Sequence, residues 1–90
     1  MDFGARVKDP DATLDYGIDW SEWLGADTIA SVTWVVPAGL TKESQSNTTT
    51  AAYAWLSGGT AGETYPVVCR ITTAAGRIDD RTLEIVCRER

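Results

Sequence analysis

The stretch Thr64-Tyr65-Pro66-Val67-Val68-Cys69-Arg70-Ile71-Thr72-Thr73 decides the fold. Tyr65, Val67, Cys69 and Ile71 fall on one side of a two-residue repeat, and Val68, Arg70 and Thr72 fall on the other. Successive side chains of a strand point to opposite faces, so this segment reads as a β-strand with one buried face. Ala74-Ala75-Gly76 follows as a turn. The alternation then resumes over 81–88, with Leu83, Ile85 and Cys87 inward and Thr82, Glu84, Val86 and Arg88 outward. The chain therefore closes on a hairpin.

That hairpin sets a geometric test for the two cysteines. Matching inward residues across the turn places Cys69 opposite Leu83 and Cys87 opposite Tyr65. The thiols then stand four positions apart, about 13 Å along the sheet at roughly 3.3 Å per residue. A disulfide needs Cα atoms within about 7 Å. Two free, buried thiols acting as small hydrophobes are expected. Only a long bulged loop over 74–80 shifts the register enough to bring them together. Free thiols also suit a product of the cytosol.

Working outward, residues 12–18 alternate in the same way, with Ala12, Leu14, Tyr16 and Ile18 on one face. Asp19-Trp20-Ser21-Glu22-Trp23-Leu24-Gly25 interrupts the pattern. Asp19 with Glu22 three residues later resembles a capping box, and Gly25 is a natural stop. One helical turn is expected there, with Trp20, Trp23 and Leu24 covering an end of the fold. Residues 28–36 are strongly β and end at Pro37-Ala38-Gly39. Residues 41–50 are polar and suit an edge strand or an exposed loop. Residues 50–57 form another strand, with Tyr53 and Trp55 on one face and Ala52, Ala54 and Leu56 on the other. Gly58-Gly59-Thr60-Ala61-Gly62 is a loop whose glycines tolerate positive φ. Six or seven short strands with turns between them make an all-β sandwich, with a closed small barrel as the rival fold. Residues 1–11 carry few apolar groups and the turn signal Asp9-Pro10-Asp11. They are expected as an N-terminal arm, mobile in the isolated protein, outside a domain over 12–90.

Composition removes several function classes. At 90 residues the chain is a single domain, and one this short has a thin core. The net charge of −5 disfavours phosphate backbones and anionic membranes, so neither nucleic acid nor membrane is expected as a partner. Acidic residues gather early, from Asp2 to Asp27, and arginines gather late, from Arg70 to Arg90. Such a polar object is suited to stacking on copies of itself, although solvated surface charge explains the same pattern. No signal peptide and no membrane span is read. The chain contains no His, which removes Ser-His-Asp and Cys-His nucleophile pairs and imidazole metal sites. The spacing of Asp9, Asp11 and Asp15 does not match a calcium loop. Gly58–Gly62 lacks the Lys-Ser/Thr of a phosphate loop. No catalytic residue, cofactor or metal is expected, and the chain is read as no enzyme.

The aromatic residues are the remaining candidates: Trp20, Trp23, Trp34, Tyr53, Trp55 and Tyr65. Trp34 shares its face with Val32 and Val36. Each strand has a single core face, so either aromatic set can lie outward, where an exposed Trp/Tyr pair would form a protein-contact patch.

Three segments carry a resemblance. They are Lys8-Asp9-Pro10-Asp11-Ala12-x-Leu14-Asp15-Tyr16, Asp19-Trp20-Ser21-x-Trp23-Leu24, and Trp55-Leu56-Ser57-Gly58-Gly59-Thr60-Ala61-Gly62-x-Thr64-Tyr65. Together they look like the small immunoglobulin-like phage fibre–tail adaptor proteins of tailed bacteriophages and prophages. The third segment also resembles the approach to strand F in immunoglobulin and fibronectin type III domains, where a corner tyrosine bonds back to the chain. Tyr65 is the residue in that position. The resemblance implies an immunoglobulin-like or fibronectin III-like β-sandwich of about seven strands with one short helical turn. It implies a non-enzymatic structural protein of the virion tail, made in the host cytoplasm. Its expected partners are other phage tail or connector proteins, with a homo-oligomer in the assembled particle also in view. The alternative function is a ligand- or carbohydrate-binding module of the same fold.

Overall fold

The computed structural model describes residues 2–89, and of residues 2–5 the backbone alone. Seven strands and one helical turn follow one another: β1 (Asp2–Lys8), β2 (Leu14–Asp19), α1 (Ser21–Leu24), β3 (Ile29–Val35), β4 (Leu40–Asn47), β5 (Ala51–Gly58), β6 (Thr64–Thr73) and β7 (Ile78–Cys87). They form a four-stranded sheet in the order β1-β7-β6-β3 and a three-stranded sheet in the order β2-β5-β4. The molecule is an all-β sandwich measuring 41 × 22 × 20 Å. The strand order is compatible with an immunoglobulin-type connectivity, with β2, β5 and β4 in the places of strands B, E and D and β3, β6 and β7 in those of C, F and G.

The core lies between the inner faces that the alternation marks. Val67, Cys69, Ile71, Leu83, Ile85 and Cys87 come from one sheet, and Tyr16, Ile18, Ala52, Ala54 and Leu56 from the other. Ala52 and Ala54 are small, which leaves room for the bulk of Trp20 and Trp34 in the same cluster. Burying these rings removes a large apolar area from water, which is the main stabilising force in so small a domain.

Two expectations change. Residues 2–8, read as part of an arm, form β1 and pair in parallel with β7 from Asp2↔Thr82 to Lys8↔Cys87. Charge and a glycine in this short edge strand hide its β pattern. Lys8 is fully buried, because its Nζ donates to the carbonyl oxygens of Asp9 (2.9 Å) and Gly58 (2.7 Å). The β6–β7 register is also displaced: Val67 faces Leu83, Tyr65 faces Ile85, and Cys69 faces Arg81. The reason is a tighter turn, in which the Thr73 N–H bonds the Arg77 carbonyl and β7 starts already at Ile78. Cys87 lies six residues beyond Arg81, about 20 Å from Cys69 along the strand at roughly 3.3 Å per residue. Both cysteines are free and buried. Two of the late arginines are paired within the chain. Arg70 pairs with Asp80 at 2.7 Å and Arg77 with Asp27 at 3.1 Å, within the same molecule.

Edge strands are blunted. The ladders of β1, β3 and β4 each carry a register irregularity, at Asp2/Ala5, Ile29/Ser31 and Lys42/Ser44. A bulge breaks the row of free backbone groups that another chain would pair with. β4 is exposed from Thr41 to Asn47, and Gln45 reaches from it to the Val32 carbonyl on β3 at 3.1 Å.

Candidate interaction surface

Chain direction places α1, the β4–β5 turn and the β6–β7 turn at one end of the sandwich. This end is closed by its own side chains. Trp20 is fully buried, and Trp23 meets it edge-to-face with ring centroids 5.5 Å apart. Each ring is covered by a guanidinium: Arg81 lies 4.2 Å from the Trp20 centroid and Arg77 lies 4.3 Å from that of Trp23. Arg77 also donates to Asp27 and to the Leu24 carbonyl. The helical turn begins one residue later than a cap at Asp19 implies, with Trp20 at the N-cap position. Asp19 still accepts the Ser21 N–H at 2.9 Å, and the Ser21 amide and hydroxyl hold its carboxyl below the usual value. Asp27 is held lower, at about 2, first by the Thr73 hydroxyl and then by the Thr28 amide, the Arg77 guanidinium and the Ala75 amide.

The opposite end holds the corner tyrosine. The Tyr65 hydroxyl accepts the Thr60 N–H at 3.0 Å and so ties the Gly58–Gly62 loop to β6. Gly59 has φ +100°, and a Cβ there would lie 2.4 Å from Cys87 Sγ, so only glycine fits. Here too Lys8 binds the end of β5.

Of the six aromatic candidates, Trp20 and Trp34 are core, and Trp23 and Tyr65 are half-buried in the two ends. Tyr53 and Trp55 are different. They are 37% and 42% exposed, side by side on the outer face of the three-stranded sheet. Register fixes their neighbours. One row reads Asp15–Trp55–Ser44 and the next reads Gly17–Tyr53–Ser46. The Tyr53 ring lies across Gly17, where a Cβ would come within 2.5 Å of its Cδ1. Beside Tyr53 a cleft of 490 Å³ opens between Gly17, Asp19, Thr48 and Thr50. Sequence alternation marked this pair, but could not say which face of β5 turns outward. The row neighbours on β2 and β4 depend on register, which no short-range signal supplies.

Chemistry is sparse. Among the described residues no group of His, Cys, Asp and Glu is arranged to hold a metal ion. Among these residues no helix is long and apolar enough to cross a membrane. Burial pushes the Cys69 thiol up to about 11, with the nearby Trp20 indole offsetting this only in part. The Trp20 and Trp34 indole nitrogens themselves find no hydrogen-bond acceptor of good geometry.

A family model described as podophage GP4 fiber-tail adaptor protein gp77 matches residues 8–86. The chain belongs to this family. No curated protein matches it. The adaptor family's match starts at Lys8, the anchored last residue of β1. The motif residues that carry the resemblance are mostly structural here. Asp9 Oδ1 accepts the Asp11 N–H in the β1–β2 turn, and the Tyr16 hydroxyl donates to the Val7 carbonyl. Trp20 and Leu24 are core. Asp15 and Trp55 are the motif residues that stand together on the open sheet face.

Proposed function

We propose that the chain is a non-enzymatic structural adaptor of the podophage virion tail, joining fibre to tail through protein–protein contacts. The observation that carries this reading is the family match over residues 8–86. A chain without His, with its thiols buried, has little means of acid–base or nucleophilic catalysis, and this supports a structural role. The partners are other tail or connector proteins of the particle. A net charge of −5 argues against nucleic acid or an anionic membrane as partner. Synthesis takes place in the host cytoplasm, and assembly delivers the protein to the tail. The test is quantitative mass spectrometry of purified particles, together with particles from a deletion of its gene. The protein is expected in intact particles, and the deletion is expected to yield tails without fibres. Its absence from intact particles contradicts the proposal.

A further inference from the structure

The closed end of the sandwich and the open sheet face are built from the same residue types. At the closed end, indole rings are covered by Arg77 and Arg81, and Asp27 pairs with Arg77. On the open face, Trp55 and Tyr53 stand beside Asp15, and Glu43 accepts the Ser57 hydroxyl at 2.5 Å. No Lys or Arg occupies the outer positions of β2, β5 or β4. Those positions are Asp15, Gly17 and Asp19, then Tyr53, Trp55 and Ser57, then Thr41, Glu43, Ser44 and Ser46. Lys42 falls in the Leu56 row, on the other side of β4, and bonds Gln45. Arg81 reaches the Asp19 end, from the other sheet, at the Asp19 carbonyl. Among the described residues no guanidinium or ammonium is found over the rings of Tyr53 or Trp55.

From this we infer that the outer face of sheet β2-β5-β4 docks an Arg- or Lys-bearing segment of a partner tail or fibre protein. The cation stacks on Trp55 and Tyr53 and pairs with Asp15 and Glu43. An aromatic face attracts a cation through its quadrupole, and a neighbouring carboxylate adds to that attraction. Gly17 has a place in this arrangement, since it lets the Tyr53 ring lie down on the sheet. Docking is to the face and not to the edge, because the β4 edge is interrupted by its bulge beside the charged Lys42. The inference rests on the adaptor reading and names the surface and partner chemistry for it.

The experiment adds purified full-length protein to particles lacking it and measures incorporation by mass spectrometry. The variants are Tyr53→Ala/Trp55→Ala, Asp15→Asn/Glu43→Gln, and Arg70→Ala on the opposite sheet as control, each first checked for an unchanged melting temperature. The aromatic pair variant is expected to lose occupancy at least about tenfold at sub-saturating protein, as central aromatic contacts do. The carboxylate variant is expected to weaken incorporation and to flatten its dependence on salt. Arg70→Ala is expected to enter normally. Normal incorporation of both open-face variants overturns the inference while leaving the adaptor reading standing. So does a loss that appears instead as a change in oligomeric mass of the free protein, which makes the face a contact between copies. So does normal incorporation joined to loss of binding on a glycan array. Failure of the wild-type chain to enter particles overturns the adaptor reading, and this inference with it.

Discussion

The α1 end and the outer face of sheet β2-β5-β4 each gather aromatic rings and carboxylates, yet they do opposite things with them. At the α1 end the two indole ring faces and Asp27 are answered from within the chain. Arg77 and Arg81 lie on the rings, Asp27 takes hydrogen bonds from both sides, and Trp20 sits wholly in the core. On the sheet face the rings of Tyr53 and Trp55 stay open and Asp15 has no basic neighbour in its row. The contrast separates a region that holds the fold together from one that has binding capacity left over. An indole that is covered by an arginine of its own chain stabilises the fold, and one that is not stays open to a partner.

The contrast breaks most sharply under truncation. Trp20→Ala removes the largest fully buried side chain and is expected to cost about 3–5 kcal/mol, a large share of the stability of a domain of this size. Trp55→Ala on the open face is expected to stay within about 1 kcal/mol of wild type. Urea titration of both checks this, and equal losses would erase the distinction. Lys8→Met is next. It leaves the Gly58 and Asp9 carbonyls without their donor, and a cost of about 1–3 kcal/mol is expected in the same titration.

A substitution can also make the open face resemble the closed end. Ser44 stands next to Trp55 in the ladder, so Ser44→Arg supplies the face with a guanidinium of its own. Stability is expected to change by less than about 1 kcal/mol, while incorporation into particles falls because the place for the partner's cation is taken. Unchanged incorporation would count against a cation in that place.

The smallest effect expected concerns pH. Asp27 is held at about 2 in the folded chain, against an ordinary value of 3.8. Its contribution to stability is complete above about pH 5. It is lost as pH falls towards 2, because the unfolded chain takes up the proton first. Asp27→Asn should therefore give a shallower fall in melting temperature across that window than wild type. Parallel curves would show that the closed end does not depend on this carboxylate.

Most of the sandwich was legible because half-buried strands alternate. Val67, Cys69, Ile71, Leu83, Ile85 and Cys87 are inside as their spacing requires. The Gly58–Gly62 loop and the α1 turn were readable from their glycines and from Asp19. What escaped depends on distance in the chain. β1 was hidden because its partner β7 is remote, and because a buried lysine contradicts any binary pattern until its two carbonyl acceptors are known. The β6–β7 register turned on how tightly residues 74–77 wrap. Pairs such as Asp27–Arg77, distant in the sequence, are joined only by folding. For the open face, the sequence marked Tyr53 and Trp55 as a pair. Only the placement of Ala52, Ala54 and Leu56 in the core turned that pair outward.

The central claim is that the Tyr53–Trp55 face is covered on assembly. Hydroxyl-radical footprinting of the free protein and of intact particles, read residue by residue by mass spectrometry, tests it directly. Trp20 and Trp34 are buried in the free protein and serve as internal references. Oxidation of Tyr53 and Trp55 is predicted to be high in the free chain and strongly reduced in the particle. Equal oxidation of the two residues in both states would contradict the account.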